Sequence, residues 1–299
     1  MKCKICKEKA IIKLKRHNIK LCKEHFNDFF LKQVDRAIKE FKMFKKEEKV
    51  MVCVSGGKDS LVLWYVLKKL GYNTVGMYVN LGISEYSENS KKKVLKFAKL
   101  FDLEYKIVDL VELGYPVPKI AKESRRAECS VCGVIKRYYF NKVAYDEGFD
   151  VVATGHNLDD EASRLLGNIL HWNDEYLKKQ VPVLPAEGKM LKKKVKPLIR
   201  LTEKEIASYA FLNKIDYLIE ECPLSKGATS LVYKDALNLI EENIVGTKQF
   251  FYFQYVKKLQ KELEHSQNKI GSLKECKICG MESFNDICSF CRLVRNEEQ

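Results

Sequence analysis

The sequence contains no apolar run that approaches the roughly 18 to 20 residues needed to cross a bilayer. Its first residues, MKCKICKEKA, have no apolar signal-peptide core. There is no low-complexity tract, and the only internal repetition is a set of cysteine pairs near each end of the sequence. These absences argue against a membrane-spanning, secreted or disordered protein. We expect a cytoplasmic globular protein with no membrane partner.

The chain of 299 residues has a formal net charge of +14. An excess of lysine and arginine favours a polyanionic partner such as RNA or DNA. A lysine-rich, solvated surface would give the same excess. The runs KKKV at 91–94 and LKKKVK at 191–196 fit either interpretation, so the charge alone leaves both open.

From residue 49 onward, short β-branched runs alternate with longer helix-like segments. This alternation predicts a parallel sheet covered by helices, in one α/β domain of about 170 residues. The pairs are VMVCV before a helix over 59–70, TVGMYV before 88–101, EYKIVDL before 133–147, and DVVATG before 159–171.

Segments outside this domain have different patterns. Apolar residues from Phe26 to Phe44 recur at helical spacing, which predicts a helix that docks on the rest. Thr202 and Glu205 match a helix capping box. We predict a zinc knuckle with a docking helix over 1–46, the α/β domain over 47–220, a helical region over 221–270 with helices at 228–242 and 247–266, a linker SQNKIGS at 266–272, and a zinc ribbon over 271–299.

The cysteine pairs near the two ends have the spacing of structural zinc sites. The first set is C-x2-C-x15-C-x2-H and the second is C-x2-C-x8-C-x2-C, and each supplies four ligands for a tetrahedral ion. With every position filled by protein, neither ion has a vacancy for chemistry. The predicted ligands are Cys3, Cys6, Cys22 and His25 for one zinc, and Cys276, Cys279, Cys288 and Cys291 for the other.

The stretch SGGKDS, residues 55–60, joins a predicted strand to a predicted helix. Two glycines allow a sharp turn, and the N–H groups of the turn and helix start form an anion site. The stretch is not a Walker A loop, which requires G-x-x-x-x-G-K-[ST]. A glycine-rich turn without a ligand is the alternative.

SGGKDS resembles the pyrophosphate loop (PP-loop) of the N-type ATP pyrophosphatases, which cleave ATP between the α and β phosphates and adenylate a substrate. The resemblance implies that Asp59 holds Mg²⁺ and that Val79 lies against adenine. The ATP-binding residues that it implies are Val54, Ser55, Gly56, Gly57, Lys58, Asp59, Ser60, Val79, Lys136 and Gly155.

Four cysteines remain outside the zinc sets. Cys53 lies inside the apolar strand before the loop, and we interpret it as a buried core thiol. Cys129, Cys132 and Cys222 allow a persulfide and disulfide pair, three ligands to an iron–sulfur cluster, or a third zinc site. Three ligands would leave one iron of a [4Fe–4S] cluster open to an exogenous sulfur.

The stretches CSVCG with Lys136 and Arg137, TGHNLDDE at 154–161, and ECP at 221–223, together with both zinc sets, resemble the TtcA/TtuA family of tRNA thiolation enzymes, most closely its TtuA/NcsA branch. The resemblance implies a tRNA uridine 2-sulfurtransferase that adenylates the uridine C2 oxygen. Cys129, Cys132 and Cys222 would hold a [4Fe–4S] cluster carrying hydrosulfide, and Asp59, Lys136 and Asp160 would be catalytic.

The same resemblance implies ATP, Mg²⁺, two zinc ions, tRNA, a sulfur donor that is free sulfide or a thiocarboxylated ubiquitin-like protein, and a homodimer. His156, at the end of a predicted parallel strand, is a further ligand-contact candidate. The alternatives are iron-free persulfide thiolation, an adenylating tRNA modifier of lysidine-synthase type, and a zinc-ribbon RNA-binding protein. Neither the uridine position nor the donor follows from the sequence.

Overall fold

A computed structural model describes residues 1–225, 229–265 and 273–295. Its centre is a six-stranded sheet with the strand order β5-β4-β3-β6-β8-β7. The strands are β1 (Ile12–Leu14), β2 (Ile19–Leu21), β3 (Val50–Val54), β4 (Thr74–Asn80), β5 (Tyr105–Asp109), β6 (Val151–Thr154), β7 (Val183–Leu184), β8 (Lys193–Val195), β9 (Lys274–Glu275) and β10 (Glu282–Ser283).

Eleven helices occur in the described residues, and those between the sheet strands cover its two faces. They are α1 (Lys23–Glu40), α2 (Lys58–Lys69), α3 (Ser84–Phe101), α4 (Val117–Ser124), α5 (Glu128–Asp146), α6 (Leu158–Leu170), α7 (Asp174–Leu177), α8 (Glu203–Leu212), α9 (Thr229–Asn243), α10 (Thr247–His265) and α11 (Ser289–Val294). The predicted α/β class is confirmed.

Strand β3 is central because it pairs in parallel with both β4 and β6. Its side chains alternate between two buried layers: Val50, Val52 and Val54 face one, and Met51 and Cys53 face the other. The chain runs outward from β3 through β4 to β5, then returns to the opposite side of β3 as β6. Such a switch point opens a crevice at the carboxyl ends of the strands.

The apolar spacing of the N-terminal segment does form a docking helix. Phe26, Phe30, Val34 and Ala37 are each fully buried along α1. Phe30 stacks on Tyr209 of α8 with ring centroids 4.0 Å apart. The Thr202–Glu205 capping box is also present at the start of α8.

The solvated-face interpretation of LKKKVK was wrong. Lys193–Val195 form a sheet strand, β8, with β7 antiparallel to it at the sheet edge. Lys196 is buried, and its Nζ lies 2.6 Å from a carboxylate oxygen of Glu161, which is fully buried. A buried partner of opposite charge stabilises a lysine that the sequence pattern places at the surface. The KKKV run lies on α3, where Lys91 and Lys93 form ion pairs with Asp109 and Asp216.

Several boundaries differ from the sequence predictions. Helix α3 begins at Ser84 and α5 at Glu128, four and five residues before the predicted starts. The predicted linker at 266–272 lies outside the described residues, as do the ends of the predicted helices at 228 and 266. Among the described helices, none combines the length and apolar character that a membrane crossing requires.

Candidate functional site

The PP-loop forms the turn between β3 and α2. Gly56 has a φ of 77°, and a Cβ on it would lie 2.8 Å from Ser90 Oγ, so only glycine fits without strain. Ser60 Oγ accepts a hydrogen bond from Ser55 N at 3.1 Å and donates one to Gly57 O at 3.0 Å. These bonds close the loop over the first turn of α2.

The end of β6 lies directly against the same loop. A Cβ on Gly155 would lie 2.9 Å from Ser60 N and 3.0 Å from the carbonyl carbon of Asp59. The absence of a side chain at Gly155 therefore lets the end of β6 approach the first turn of α2. This contact is the structural reason for glycine after β6.

A cavity of about 360 Å³ opens at these strand ends, where the topology predicts a ligand site. It brings together the PP-loop, the end of β6, helix α5 and one of the three central cysteines. The lining residues are Cys53, Val54, Ser55, Gly57, Asp59, Ser60, Tyr78, Val79, Leu81, Tyr86, Ser87, Ser90, Lys136, Phe140, Thr154, Gly155, His156, Asp160 and Cys222.

Most of the predicted ATP residues line this cavity, but Gly56 and Lys58 are not among its described lining. Lys58 turns toward carboxylates instead: its Nζ lies 2.8 Å from Asp59 Oδ1 and 3.6 Å from Glu203 Oε1. Lys234 of α9 continues this series, 3.2 Å from Glu203 Oε2 and 2.8 Å from Asp160 Oδ1. Two ammonium groups thus link three carboxylates at the cavity.

The two aspartates of this series titrate differently. Burial raises the pKa of Asp59, although Lys58 opposes the shift. Burial also acts to raise the pKa of Asp160, but the Lys234 ammonium outweighs it and lowers that pKa. Asp160 is therefore ionised and can accept a proton. A cation bound beside the buried Asp59 would stabilise the charged form of that carboxylate.

His156 lies at the cavity wall after β6. Burial, aided by the neighbouring Arg164 guanidinium, lowers the pKa of His156 to about 4. Its Nδ1 lies 2.8 Å from Thr154 Oγ1, and Arg164 approaches Nε2 at 3.5 Å. The ring is thus neutral at pH 7 and acts as a hydrogen-bonding group.

Helix α5 carries two of the three central cysteines on one face. Cys129, Cys132, Lys136 and Phe140 follow one another at intervals of three and four residues, which places them along one side of a helix. Lys136 and Phe140 line the cavity, while Cys129 and Cys132 are not among its described lining residues. The two thiols lie toward the N-terminal end of the same face.

Cys222 reaches this region from a distant segment that the PP-loop anchors. Leu218 N donates to Gly56 O at 2.9 Å, and Asp216 is held by Lys93 and Lys96 of α3. The thiol of Cys129 donates to Leu224 O at 3.0 Å, which joins α5 to the segment around Cys222. Burial raises the pKa of Cys222, and the nearby thiols Cys132 and Cys129 add to the shift.

The spacing of these three thiols differs from that of a single-ion site. Within the described residues, their Sγ atoms do not all lie within 4.8 Å of one another, whereas the ligand atoms of both predicted zinc sets do. A cubane cluster is wider than one ion because each thiolate binds a different iron. The three thiols therefore lack the compact arrangement that a third zinc site would require.

Both predicted zinc sets have the geometry that a tetrahedral ion requires. A Zn–S bond of about 2.3 Å implies an Sγ–Sγ separation of about 3.8 Å. The Sγ atoms lie 3.8 Å apart both for Cys6 with Cys22 and for Cys279 with Cys288. His25 Nδ1 lies 3.2 Å from Cys22 Sγ and 3.6 Å from Cys3 Sγ, which matches a nitrogen ligand in the fourth position.

The C-terminal zinc set is built against helix α5. Phe290, between Cys288 and Cys291, stacks on Tyr138 with ring centroids 3.8 Å apart and an interplanar angle of 8°. It also meets Tyr139 edge-on at 5.6 Å. The module therefore packs against the helix that carries Cys129, Cys132 and Lys136.

Sequence reasoning missed several groups at the cavity. Thr154 and Phe140 could have been found, since one precedes Gly155 and the other follows Lys136 by one helical turn. Ser90, whose hydroxyl donates to Ser55 O, and Lys234 had no local signal, because distant parts of the chain bring them to the site.

Two protein-family models match the chain. A PP-loop domain matches residues 30–226, and the N-terminal LIM domain of the 2-thiouridine synthetase TtuA matches residues 2–27. The first covers more than half of the chain. The second coincides with the N-terminal zinc set and its hairpin.

Proteins with related sequences align over nearly the whole chain. A tRNA-5-methyluridine(54) 2-sulfurtransferase from Pyrococcus horikoshii is 51% identical over 98% of this chain and 93% of its own length. A protein of the same name from Thermus thermophilus is 47% identical over 98% of this chain and 91% of its own.

A solved structure shares the fold. The U34-tRNA thiolase NcsA from Methanococcus maripaludis with its [4Fe-4S] cluster is 30% identical and superposes with a TM-score of 0.83. The match covers 100% of this chain and 97% of that one.

Proposed function

Since this chain belongs to the TtuA/NcsA branch of the PP-loop tRNA 2-sulfurtransferases, we propose that it replaces the 2-carbonyl oxygen of 5-methyluridine 54 in tRNA by sulfur, through an adenylated intermediate. Position 54 is favoured because relatives named for it are 46 to 51% identical to this chain, compared with 30% for the solved U34 thiolase.

The observation that carries the proposal is the shared cavity. It is lined by PP-loop groups, by Lys136 and Asp160, and by Cys222, so the predicted ATP site and one predicted sulfur-site residue face the same space. A reaction that adenylates the C2 oxygen and then bonds sulfur to C2 requires that the ATP site and the sulfur site lie close together.

In the first step the uridine C2 oxygen attacks the α-phosphorus of ATP and pyrophosphate leaves. The loop N–H groups and the hydroxyls of Ser55 and Ser60 would bind the phosphates, with Val79 against the adenine. Asp59 would hold the Mg²⁺. Asp160, which the Lys234 ammonium keeps ionised, would accept the N3 proton that the uridine loses.

In the second step sulfur bonds to C2, the C2–O bond breaks, and AMP leaves with the former carbonyl oxygen, while a proton from hydrosulfide or from Asp160 returns to N3. Bound by Cys129, Cys132 and Cys222, a [4Fe–4S] cluster would offer one iron without a protein ligand as the place for the incoming sulfur. Sulfur enters at the oxidation level of sulfide, so this route needs no reductant. Lys136 would stabilise the negative charge on the C2 or phosphate oxygens. The sulfur donor and the homodimer stay predictions.

The first test measures iron, acid-labile sulfide and zinc in anaerobically purified protein. We expect about four irons and about two zincs per chain. Cys129→Ala should lose iron and keep zinc, and the control Cys53→Ala should keep both, because Cys53 belongs to β3. Zinc alone, even after reconstitution with iron and sulfide, would support the persulfide route instead.

The second test identifies the product. Nucleosides from tRNA incubated with ATP, Mg²⁺ and sulfide should contain 5-methyl-2-thiouridine in wild type and none in Cys222→Ser. Thiolation at the wobble uridine would contradict the assignment to position 54. Full thiolation by Cys222→Ser would contradict the three-cysteine sulfur mechanism, whereas wild-type protein that turns ATP over to AMP and pyrophosphate with tRNA but makes no thiouridine would favour adenylation chemistry of the lysidine-synthase type.

A further inference from the structure

The positive charge of the chain is concentrated at its N-terminal end. Residues 1–25 contain nine lysines and arginines and two glutamates, a net of +7, which is half of the formal charge of the whole chain. A zinc ion bound by three thiolates and one histidine would lower this net charge by only one. This zinc module is therefore strongly basic in the metal-bound protein.

Five lysines of this module line one cleft of about 380 Å³, and the described lining contains no carboxylate. Residues 2–7 form one wall and the β1–β2 hairpin the other, and Lys4 N joins them by donating to Lys20 O at 2.9 Å. The lining residues are Lys2, Cys3, Lys4, Lys7, Lys13, Asn18, Ile19 and Lys20.

The charges in this cleft are uncompensated. Lys13 and Lys20 are directly opposite each other in the antiparallel hairpin, an arrangement in which like charges destabilise the pair. None of the five lysines forms an ion pair with a residue that the structure describes, whereas Lys58, Lys196, Lys234 and Lys248 each do. A bound polyanion would relieve this repulsion.

We propose that this lysine cleft binds the phosphate backbone of the tRNA substrate, with Lys4, Lys13 and Lys20 as its phosphate contacts. The identification of the polyanion as tRNA rests on the proposed function, while the cleft itself rests on the charges and geometry above. A zinc-braced loop on a hairpin fixes the backbone positions of these lysines, so less backbone freedom is lost when the RNA binds.

The test compares two triple variants that remove the same charge from the same module. Lys4→Ala with Lys13→Ala and Lys20→Ala empties the cleft, and Lys9→Ala with Lys15→Ala and Lys23→Ala removes three exposed lysines outside its lining. tRNA binding is measured from low to moderate salt without ATP or sulfide. Zinc analysis confirms that each module is intact.

We expect the cleft variant to bind tRNA at least about tenfold more weakly, with a salt slope that is smaller by roughly two to three, because each lost phosphate contact removes about 0.7 to 0.9 from it. The control variant should change the slope by less than about one. Equal changes of affinity and salt slope in both variants would show that only net charge matters and would overturn the proposed cleft. No change in either variant would overturn it as well.

Turnover separates this inference from the proposed function. At saturating tRNA the cleft variant should thiolate with the wild-type kcat and a raised KM for tRNA, since its active site is untouched. Wild-type protein that binds tRNA through the cleft but makes no thiouridine would contradict the proposed function alone. If the triple variant loses zinc, Lys13→Ala with Lys20→Ala leaves the residue 2–7 loop unchanged and must lower the slope by roughly 1.4 to 1.8, the share of two contacts, or the cleft is overturned.

Discussion

Phe290 and Tyr138 stack face to face, 3.8 Å between ring centroids, and this contact couples the C-terminal zinc module to the helix that carries Cys129 and Cys132. Phe290 is buried among Tyr115, Tyr138 and Tyr139. The module thus packs against α5 through Tyr138 and Tyr139, neither of which is among the described cavity lining.

Phe290→Ala should therefore loosen α5 without changing a metal ligand. Truncating a buried phenylalanine costs about 3 to 5 kcal/mol of unfolding free energy. We expect faster loss of iron in air with zinc retained, followed by metal analysis over time. Phe250→Ala, at an exposed position on α10, serves as the control. If Phe290→Ala retains iron as well as the wild type does, the packing of the C-terminal zinc module on α5 does not affect the proposed sulfur site.

Glu161 and Lys196 form a buried pair, 2.6 Å apart, beneath the start of α6. Lys196→Met leaves the carboxylate without its closest cation and should destabilise the protein by about 3 to 5 kcal/mol. Adding Glu161→Gln should recover part of the loss, because the buried negative charge, then paired only with Arg164 at 3.3 Å, is gone. Urea denaturation of wild type, both single variants and the double variant measures the coupling. Additive effects would show that the pair does not act as a unit.

Gly155→Ala should displace the PP-loop. The new Cβ would lie 2.9 Å from Ser60 N, closer than real contacts allow, and the neighbour is backbone that cannot rotate away. We expect a KM for ATP raised at least about tenfold, a loss of about 1.4 kcal/mol. Gly57→Ala, whose Cβ meets only Ser55 Oγ at 3.5 Å, should do less. Equal effects would contradict this steric explanation.

His156 makes the stability of the protein depend on pH. Its pKa of about 4 in the folded protein lies below the ordinary value of 6.5, so the unfolded chain binds the proton first. Stability therefore falls as the pH drops from 6.5 toward 4, by on the order of 2 kcal/mol from this residue. His156→Asn should remove that part of the decline. Urea denaturation at pH 7.5 and pH 5 tests it, since both proteins share the same zinc ligands; identical declines would disprove it.

The sequence predicted the parts of the fold that local patterns determine. Strand β3, the loop after it and the two zinc sets follow from runs of a few residues and from fixed spacings. The start of α5 was missed because cysteine and Gly133 are weak helix formers. The burial of Lys196 was missed because its partner, Glu161, is 35 residues away.

For the site, too, residues in local motifs were predicted and residues from distant segments were not. Asp59, Lys136 and Asp160 were named from motifs, and all three line the cavity. Lys234 and Glu203 were not named, since their places between Asp160 and Lys58 result from the packing of α8 against α2 and of α9 against α6. Charge networks between distant segments have no signature in the local sequence.

Helix α5 fixes the spacing between Cys129 and Lys136. Cys129 and Lys136 are seven residues apart, which is about 10.5 Å along a helix axis and close to two full turns. One residue inserted between Cys132 and Lys136 would rotate the lysine by about 100° away from the cavity. It would also increase the axial distance between Cys129 and Lys136 by about 1.5 Å. The distance between Cys129 and Lys136 is thus set by the backbone hydrogen bonds of one helix, and motion of the neighbouring loops cannot alter it.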